Sequence, residues 1–225
     1  MLNTVPAYVT AVFILTVLLT LWLFVKSTKN KTLVTIISLA WLALTGVLAY
    51  TGFFKNTSGL PLHFIFAIAP PLLTIILLFA TNGGRRFINN IDLRTITLLS
   101  IVRIPVEFVL YWLFMNKAVP ELMTFAGRNF DILSGITAPI VYFICFKNNI
   151  VINKRLLLIW NLVSLLLLLN IVVNAILSLP FPFQQFAFNQ PNIAVLYFPF
   201  IWLPSFIVMI VLFSHLIAIS RLTKK

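Results

Sequence analysis

The chain has 225 residues, of which 61% are apolar and only 9% are charged, with sixteen Lys or Arg against four Asp or Glu and a formal net charge of +12. Soluble domains average about 45–50% apolar and about 25% charged residues, so this composition excludes an ordinary water-soluble domain. A nucleic-acid partner is also excluded, because the chain has no polar face that could carry a basic groove. The composition therefore predicts a polytopic membrane protein whose principal partner is the lipid bilayer.

Seven apolar stretches are long enough, or nearly so, for the roughly 20 helical residues that cross a hydrocarbon core. They lack the alternating pattern of a porin strand, and unpaired backbone is not tolerated in lipid, so we expect helices. The predicted fold class is all-α, a seven-helix transmembrane bundle that forms a single domain over residues 1–225. The predicted spans are residues 5–25, 32–54, 60–80, 96–115, 132–146, 156–179 and 194–219.

The basic residues between these stretches predict the orientation. Cytoplasmic loops are enriched in Lys and Arg, and the charges divide unevenly between alternate loops. Three lie on one side: Lys55, Lys117 and Arg128. Twelve lie on the other: Lys26, Lys29, Lys31, Arg85, Arg86, Arg94, Lys147, Lys154, Arg155, Arg221, Lys224 and Lys225. This asymmetry predicts an external N-terminus and a cytoplasmic C-terminus in the inner cell membrane, and it accounts for the excess positive charge.

The fourth stretch carries the most unusual chemistry. Arg103 and Glu107 are four residues apart, so both lie on one helix face, which Tyr111 extends by a further turn. Ionisable groups within a bilayer are costly and indicate a functional site by default. Pro105 lies between them and is expected to kink the helix. The alternative is structural: Arg103 and Glu107 neutralise each other and hold neighbouring helices in place.

The sixth stretch offers a second polar stripe, formed by Asn170 and Asn174. These side chains either face Arg103 and Glu107 across a cavity or hydrogen-bond between helices as structural contacts. His63, near the outer end of the third stretch, is a candidate polar group at the edge of the same cavity.

Two loops are candidates for the mouth of this cavity. The loop before the fifth stretch holds Arg128 and Asp131, and Asp131 is placed to cap the following helix. Arg128 is expected to pair with an acid or to reach an anionic ligand. The uncharged loop before the seventh stretch holds Gln184 and Gln185 among phenylalanines, as in either a re-entrant lid or an interfacial anchor.

No cofactor is predicted. His63 and His215 lie at different predicted depths, about 25 Å apart at 1.5 Å rise per residue, so they cannot share a metal or a haem. No span contains a lysine, which excludes a retinal Schiff base. The hydrolase, zinc-protease and phosphate-loop motifs are also absent from the sequence.

Three segments resemble an uncharacterised family of small bacterial seven-span membrane proteins. They are RIPVEF at 103–108, MTFAGRNFDILSGITAP at 123–139, and QPN…WLP…H between 190 and 215. The resemblance implies no activity, fold or ligand.

These observations favour a protein that binds or transports a small polar or amphipathic molecule through a polar cavity in the outer half of the bundle. Arg103 would bind an anionic group, and Glu107 would neutralise Arg103 in the empty site or relay a proton. One alternative is an intramembrane enzyme that uses Glu107 or Asp131 with His63, although no catalytic motif is present. Another is a structural subunit whose polar stripes contact a second copy or a partner membrane subunit.

Overall fold

The computed structural model describes residue 2, residues 4–148 and residues 150–224. Within these residues the chain forms nine α-helices. They are α1 (Ala7–Ser27), α2 (Lys31–Tyr50), α3 (Leu62–Ala80), α4 (Asn82–Asn89), α5 (Leu93–Leu99), α6 (Arg103–Met115), α7 (Ile132–Cys145), α8 (Lys154–Leu177) and α9 (Val208–Thr223). The single sheet among the described residues is a short antiparallel hairpin that pairs Phe146–Lys147 with Ile150–Val151.

Six helical segments are long and apolar enough to cross a membrane, which confirms the prediction of a multi-pass helical protein at that level. They are Ala7–Ser27, Lys31–Tyr50, Leu62–Ala80, Leu93–Met115, Lys154–Leu177 and Leu203–Thr223. The fifth predicted stretch forms α7, an apolar helix that is shorter than the other six. Large apolar side chains such as Leu15, Ile36 and Leu166 are exposed on the outer helix faces, where a bilayer would cover them.

The seventh predicted stretch begins later than its sequence indicates. Residues from Ala194 onward form a short 3-10 turn and a further irregular segment, and regular helix begins only after a π-helical turn at Leu203–Ile207. The helical segment continues to Thr223, so His215 lies well inside it rather than near its end. The expected stretch ends at residue 219, whereas the helix continues to Thr223, so His215 lies farther from the helix end than its sequence position indicates.

The loops contact one another at the two ends of the bundle. At one end, the backbone N–H of Asp92 donates to the carbonyl of Ser27 at 2.8 Å, and Arg221 donates to the carbonyl of Ile91. At the other end, the N–H groups of Ile193 and Ala194 donate to the carbonyl of Ala118 at 3.1 and 2.9 Å. These contacts bring alternate loops together, as a bundle of antiparallel neighbouring helices requires.

Candidate functional site

Arg103 forms a buried ion pair. Its Nη1 lies 2.9 Å from Oδ1 of Asp131, and both side chains are less than a tenth exposed. Arg103 begins α6 directly after a 3-10 turn at Ser100–Val102. Pro105 explains this turn, because proline has no N–H to donate to the carbonyl four residues earlier and its ring clashes there. The sequence predicts a kink at Pro105, and the structure has a change to 3-10 hydrogen bonding one turn before the proline.

His215 is a second side-chain partner of the Arg103 guanidinium. Nη2 of Arg103 lies 2.7 Å from Nε2 of His215, and Nη1 also donates to the carbonyl of Ser164 at 3.3 Å. On the other side of the ring, Nδ1 lies 2.8 Å from Oδ1 of Asn161, whose Nδ2 donates to the carbonyl of Leu157. Arginine can only donate, so Nε2 accepts and Nδ1 donates. The hydrogen bonds thus assign the neutral Nδ1–H tautomer to His215.

Glu107 is buried with a different partner. Asn129 donates from Nδ2 to Oε1 of Glu107 and to the carbonyl of Met123 at 3.0 Å, while its Oδ1 accepts from the backbone N–H of Asp131 at 3.0 Å. Asn129 therefore links Glu107 to the residue that pairs with Arg103. The second carboxylate oxygen of Glu107, Oε2, is buried without a hydrogen-bond partner.

Two structural interpretations from the sequence need correction. Arg103 does not pair with Glu107 in the described residues, because Asp131 from the loop before α7 reaches the guanidinium instead. Asp131 occupies the N-cap position of α7 but makes no capping hydrogen bond through its side chain. Its carboxylate turns into the bundle, where a buried guanidinium offers a stronger, charge-assisted partner than a backbone N–H.

A cavity of about 120 Å³ adjoins this network. Four of its lining residues are polar or charged: Arg103, Glu107, Asp131 and Asn192. The rest of the wall is apolar and comes mainly from α6, α8 and α9 and from the π-helical turn, with Val106, Leu168, Val172, Ile207 and Met209 among its members. Three of these lining residues each have a buried side-chain atom without a hydrogen-bond partner: Glu107 Oε2, Asn192 Oδ1 and Arg103 Nε.

Three of the ten predicted site residues line this cavity, namely Arg103, Glu107 and Asp131, and the other seven do not. Tyr111 stacks on Phe125 with ring centroids 5.0 Å apart. His63 packs edge-to-face on Phe53 at 4.4 Å. Neither His63 nor Tyr111 lines the cavity, and His63 makes no described hydrogen bond to Glu107 or Asp131.

Asn170, Asn174 and Arg128 form structural contacts beside the site. Nδ2 of Asn170 donates to the carbonyl of Arg128 at 2.9 Å, and Nδ2 of Asn174 donates to the carbonyl of Asn170 at 2.9 Å. The Arg128 guanidinium lies 5.8 Å from the ring centroid of Phe186. Asn170 thus connects α8 to the loop before α7, whereas Asn174 bonds within α8, so neither hydrogen bond joins two helices.

The two glutamines bind within their own loop. Gln184 donates to the carbonyl of Phe186 at 2.9 Å, and the exposed Gln185 donates to that of Phe183 at 3.4 Å. Two later residues of the same loop reach further. Gln190 donates to the carbonyls of Phe114 and Val119, and Asn192 donates from Nδ2 to that of Ala175.

The sequence interpretation missed three residues that shape the site: His215, Asn129 and Asn192. His215 had no local signal, because its contact with Arg103 depends on where α9 begins. Asn129 lies two residues before Asp131, and Asn192 ends an amide-rich loop, but nothing in their spacing connects them to Glu107 or to the cavity. Comparison with protein-family models, curated proteins and solved structures finds no match to this chain.

Proposed function

We propose that this protein binds or transports a small amphipathic molecule in the cavity beside Arg103, Asp131 and Glu107. The observation that carries the proposal is a largely apolar cavity inside the bundle that adjoins the buried Arg103, Asp131 and Glu107. Ligand sites are commonly apolar cavities with a few polar or charged groups beside them. A molecule with one polar end and an apolar body matches this wall.

The size of the cavity supports a small occupant. An apolar protein cavity of about 150 Å³ binds benzene or xenon, and the cavity here, at about 120 Å³, is of the same order. Its occupant would therefore have a hydrocarbon portion of about four to six carbon atoms.

The setting we propose is a seven-span bundle in the inner membrane of a bacterial cell, with α7 as a short seventh crossing and the N-terminus outside. The division of basic residues between alternate loops supports this orientation. In this orientation the cavity lies toward the outer half of the bundle. One of its lining residues, Asn192, directly precedes Ile193 and Ala194, which contact Ala118 at the end of the bundle with few basic residues.

A cavity-filling variant and its neighbour test the proposal. Val172 lines the cavity, whereas the adjacent Val173 is exposed on the outer face of α8. Val172→Phe should fill the space, and Val173→Phe adds the same volume outside it. The purified chain in lipid nanodiscs is heated with n-butylammonium, 1-butanol or butyrate, three probes of equal chain length and different charge.

The expected result is that at least one probe raises the unfolding temperature of the wild type and of Val173→Phe but not of Val172→Phe. A wild type that responds to none of the three probes contradicts the proposal, as does an equal response in both variants.

A further inference from the structure

A second and larger space, the α2–α3 groove, lies between α2 and α3. Its volume is about 660 Å³, and it shares a single lining residue, Met209, with the cavity beside Arg103. We propose that this groove binds one membrane phospholipid with an anionic headgroup, whose acyl chain lies between the two helices and whose headgroup lies beside α4. The inference does not depend on the function proposed for the cavity.

The packing of the helices leaves the α2–α3 groove open to lipid. α2 packs on α1, and α3 packs on α4 and on the π-helical turn, while both helices contact the 3-10 turn Phe53–Lys55 at the end away from α4. Leu33, Ile37 and Leu44 line the groove and are exposed. The open side of the groove therefore lies on the outer surface of the bundle, where a bilayer would cover it.

The groove has the length of an acyl chain in one leaflet. Leu33 and Leu44 are eleven residues apart on α2, which corresponds to about 16 Å at a rise of 1.5 Å per residue. One leaflet occupies half of the hydrocarbon core, about 15 Å. A chain that enters at the end of the groove beside α4 therefore follows α2 through the depth of one leaflet.

The wall of the groove is suited to a hydrocarbon chain. No charged residue lines it within the part of the chain that the structure describes. The hydroxyls of Thr74 and Ser205 donate to carbonyls four residues earlier, at 2.8 and 2.9 Å, and Nε1 of Trp41 donates to the carbonyl of Ser205 at 3.0 Å. Because these donors already have partners, an acyl chain can cover them without the loss of a hydrogen bond.

Basic residues surround the end of the groove beside α4. Asn30, Gly83 and Gly84 line this end. The basic residues that adjoin them in the sequence are all exposed: Lys29, Lys31, Arg85 and Arg86. Clusters of four or more Lys and Arg at a membrane surface bind anionic lipids. The charge next to the apolar groove therefore favours an anionic headgroup over a zwitterionic one.

The short helix α4 separates an apolar face from a basic one. Phe87 lines the groove and Ile88 is buried, whereas Arg85 and Arg86 are exposed. A helix with this division is expected to lie in the plane of the membrane interface, at the level of lipid headgroups. Asp92, the acid in the next loop, caps α5 and accepts from the backbone N–H groups there.

Two alanines on α2 test the place of the acyl chain. Ala40 lines the groove, whereas Ala43 is equally exposed on the same helix and does not line it. Ala40→Phe should fill the groove, and Ala43→Phe adds the same side chain outside it.

Two pairs of basic residues test the place of the headgroup. The variant Lys31→Gln with Arg86→Gln removes two charges beside the groove, and Arg85 is kept because its Nε donates to the carbonyl of Phe79 at 2.9 Å. The control is Lys154→Gln with Arg155→Gln, which removes two exposed charges at the start of α8, away from the groove.

Binding is measured by native mass spectrometry of the delipidated protein in detergent. The probes are dioleoylphosphatidylglycerol, dioleoylphosphatidylcholine with the same chains, and dihexanoylphosphatidylglycerol with the same headgroup. We expect the wild type and both controls to bind one dioleoylphosphatidylglycerol at least about tenfold more tightly than either other lipid. Ala40→Phe and the Lys31, Arg86 double variant should each weaken that binding at least about tenfold.

Several outcomes would overturn the inference. Equal binding of the two dioleoyl lipids by the wild type would exclude recognition of an anionic headgroup, and equal lipid binding by Ala40→Phe and Ala43→Phe would exclude the groove. A dimer that only Ala40→Phe dissociates would assign the groove to a second copy of the chain. If Ala40→Phe does not fold, the three lipids and the charge variants still decide. None of these results involves the cavity that Val172→Phe fills.

Discussion

Nη2 of Arg103 donates a hydrogen bond to Nε2 of His215 at 2.7 Å, although 112 residues separate the two along the chain. The contact joins the start of α6 to the interior of α9. Together with Asp131 and Asn161, it places a continuous polar network inside an apolar bundle. Each member depends on its neighbours, because an unpaired polar group is costly in such an environment.

The tautomer of His215 is the first prediction. Labelled histidine in the lipid-reconstituted protein should show, by ¹⁵N solid-state NMR, a protonated Nδ1 and an unprotonated Nε2. The reason is that Nδ1 faces the acceptor Oδ1 of Asn161 while Nε2 faces an N–H of Arg103. The chain has two histidines, so a His63→Gln variant assigns the signals. A ring protonated on both nitrogens would contradict the network, since it would direct an N–H against the guanidinium.

The second prediction concerns the ion pair between Arg103 and Asp131. Asp131→Asn should lower the free energy of unfolding by about 3–5 kcal/mol, because removal of one partner leaves a buried charge uncompensated. The double variant Arg103→Met with Asp131→Leu should recover most of that loss, since it removes both charges together. Thermal unfolding in detergent micelles provides the measurement.

The exposed Glu121 supplies the control for this experiment. Glu121→Gln removes a carboxylate from the same loop, and we expect it to leave the unfolding temperature close to that of the wild type. If Asp131→Asn is no more destabilising than Glu121→Gln, the buried pair does not hold α6 to the loop before α7.

The sequence predicted the placement of side chains correctly where the evidence was local. Four-residue spacing correctly placed Arg103 and Glu107 on one helix, and both are buried beside the same cavity. The partner of Arg103 was not predictable in this way. Asp131 has the local signature of a helix cap, and only the packing of α7 against α6 shows that a guanidinium lies within its reach.

His215 shows a different limit of sequence interpretation. An apolar run gives the length of a span, but it does not show which part of the run is helical. Residues 194–202 are as apolar as a membrane helix, yet they form short turns and irregular chain. The helical segment therefore begins and ends later than the apolar run indicates, and His215 lies farther from its end. The overall class of the fold depends on total apolar length, and so it is insensitive to this shift.

The third prediction tests the orientation. Lys29 and Lys55 are exposed at opposite ends of α2, and the charge asymmetry assigns Lys29 to the cytoplasm and Lys55 to the exterior. A membrane-impermeant maleimide added to intact cells should label Lys55→Cys but not Lys29→Cys. Both variants are made in a Cys145→Ser background, although Cys145 is itself buried. Permeabilised cells, in which both positions should react, provide the control, and the opposite labelling pattern would reverse the orientation.

The fourth prediction concerns the close approach of α7 to the turn before α6. A Cβ added at Gly135 would lie 2.8 Å from Cγ1 of Ile104 and 3.3 Å from the carbonyl oxygen of Ser100, so the two segments would have to separate. Gly135→Ala should therefore lower the free energy of unfolding by about 1–3 kcal/mol, as overpacking does in other cores.

Gly83, in α4, has no neighbour within 4 Å of such a Cβ, and Gly83→Ala should be neutral or stabilising by up to about 1 kcal/mol. Thermal unfolding of the two variants in the same detergent gives the comparison. Equal stability of the two alanine variants would mean that α7 does not pack against this turn as closely as the structure places it.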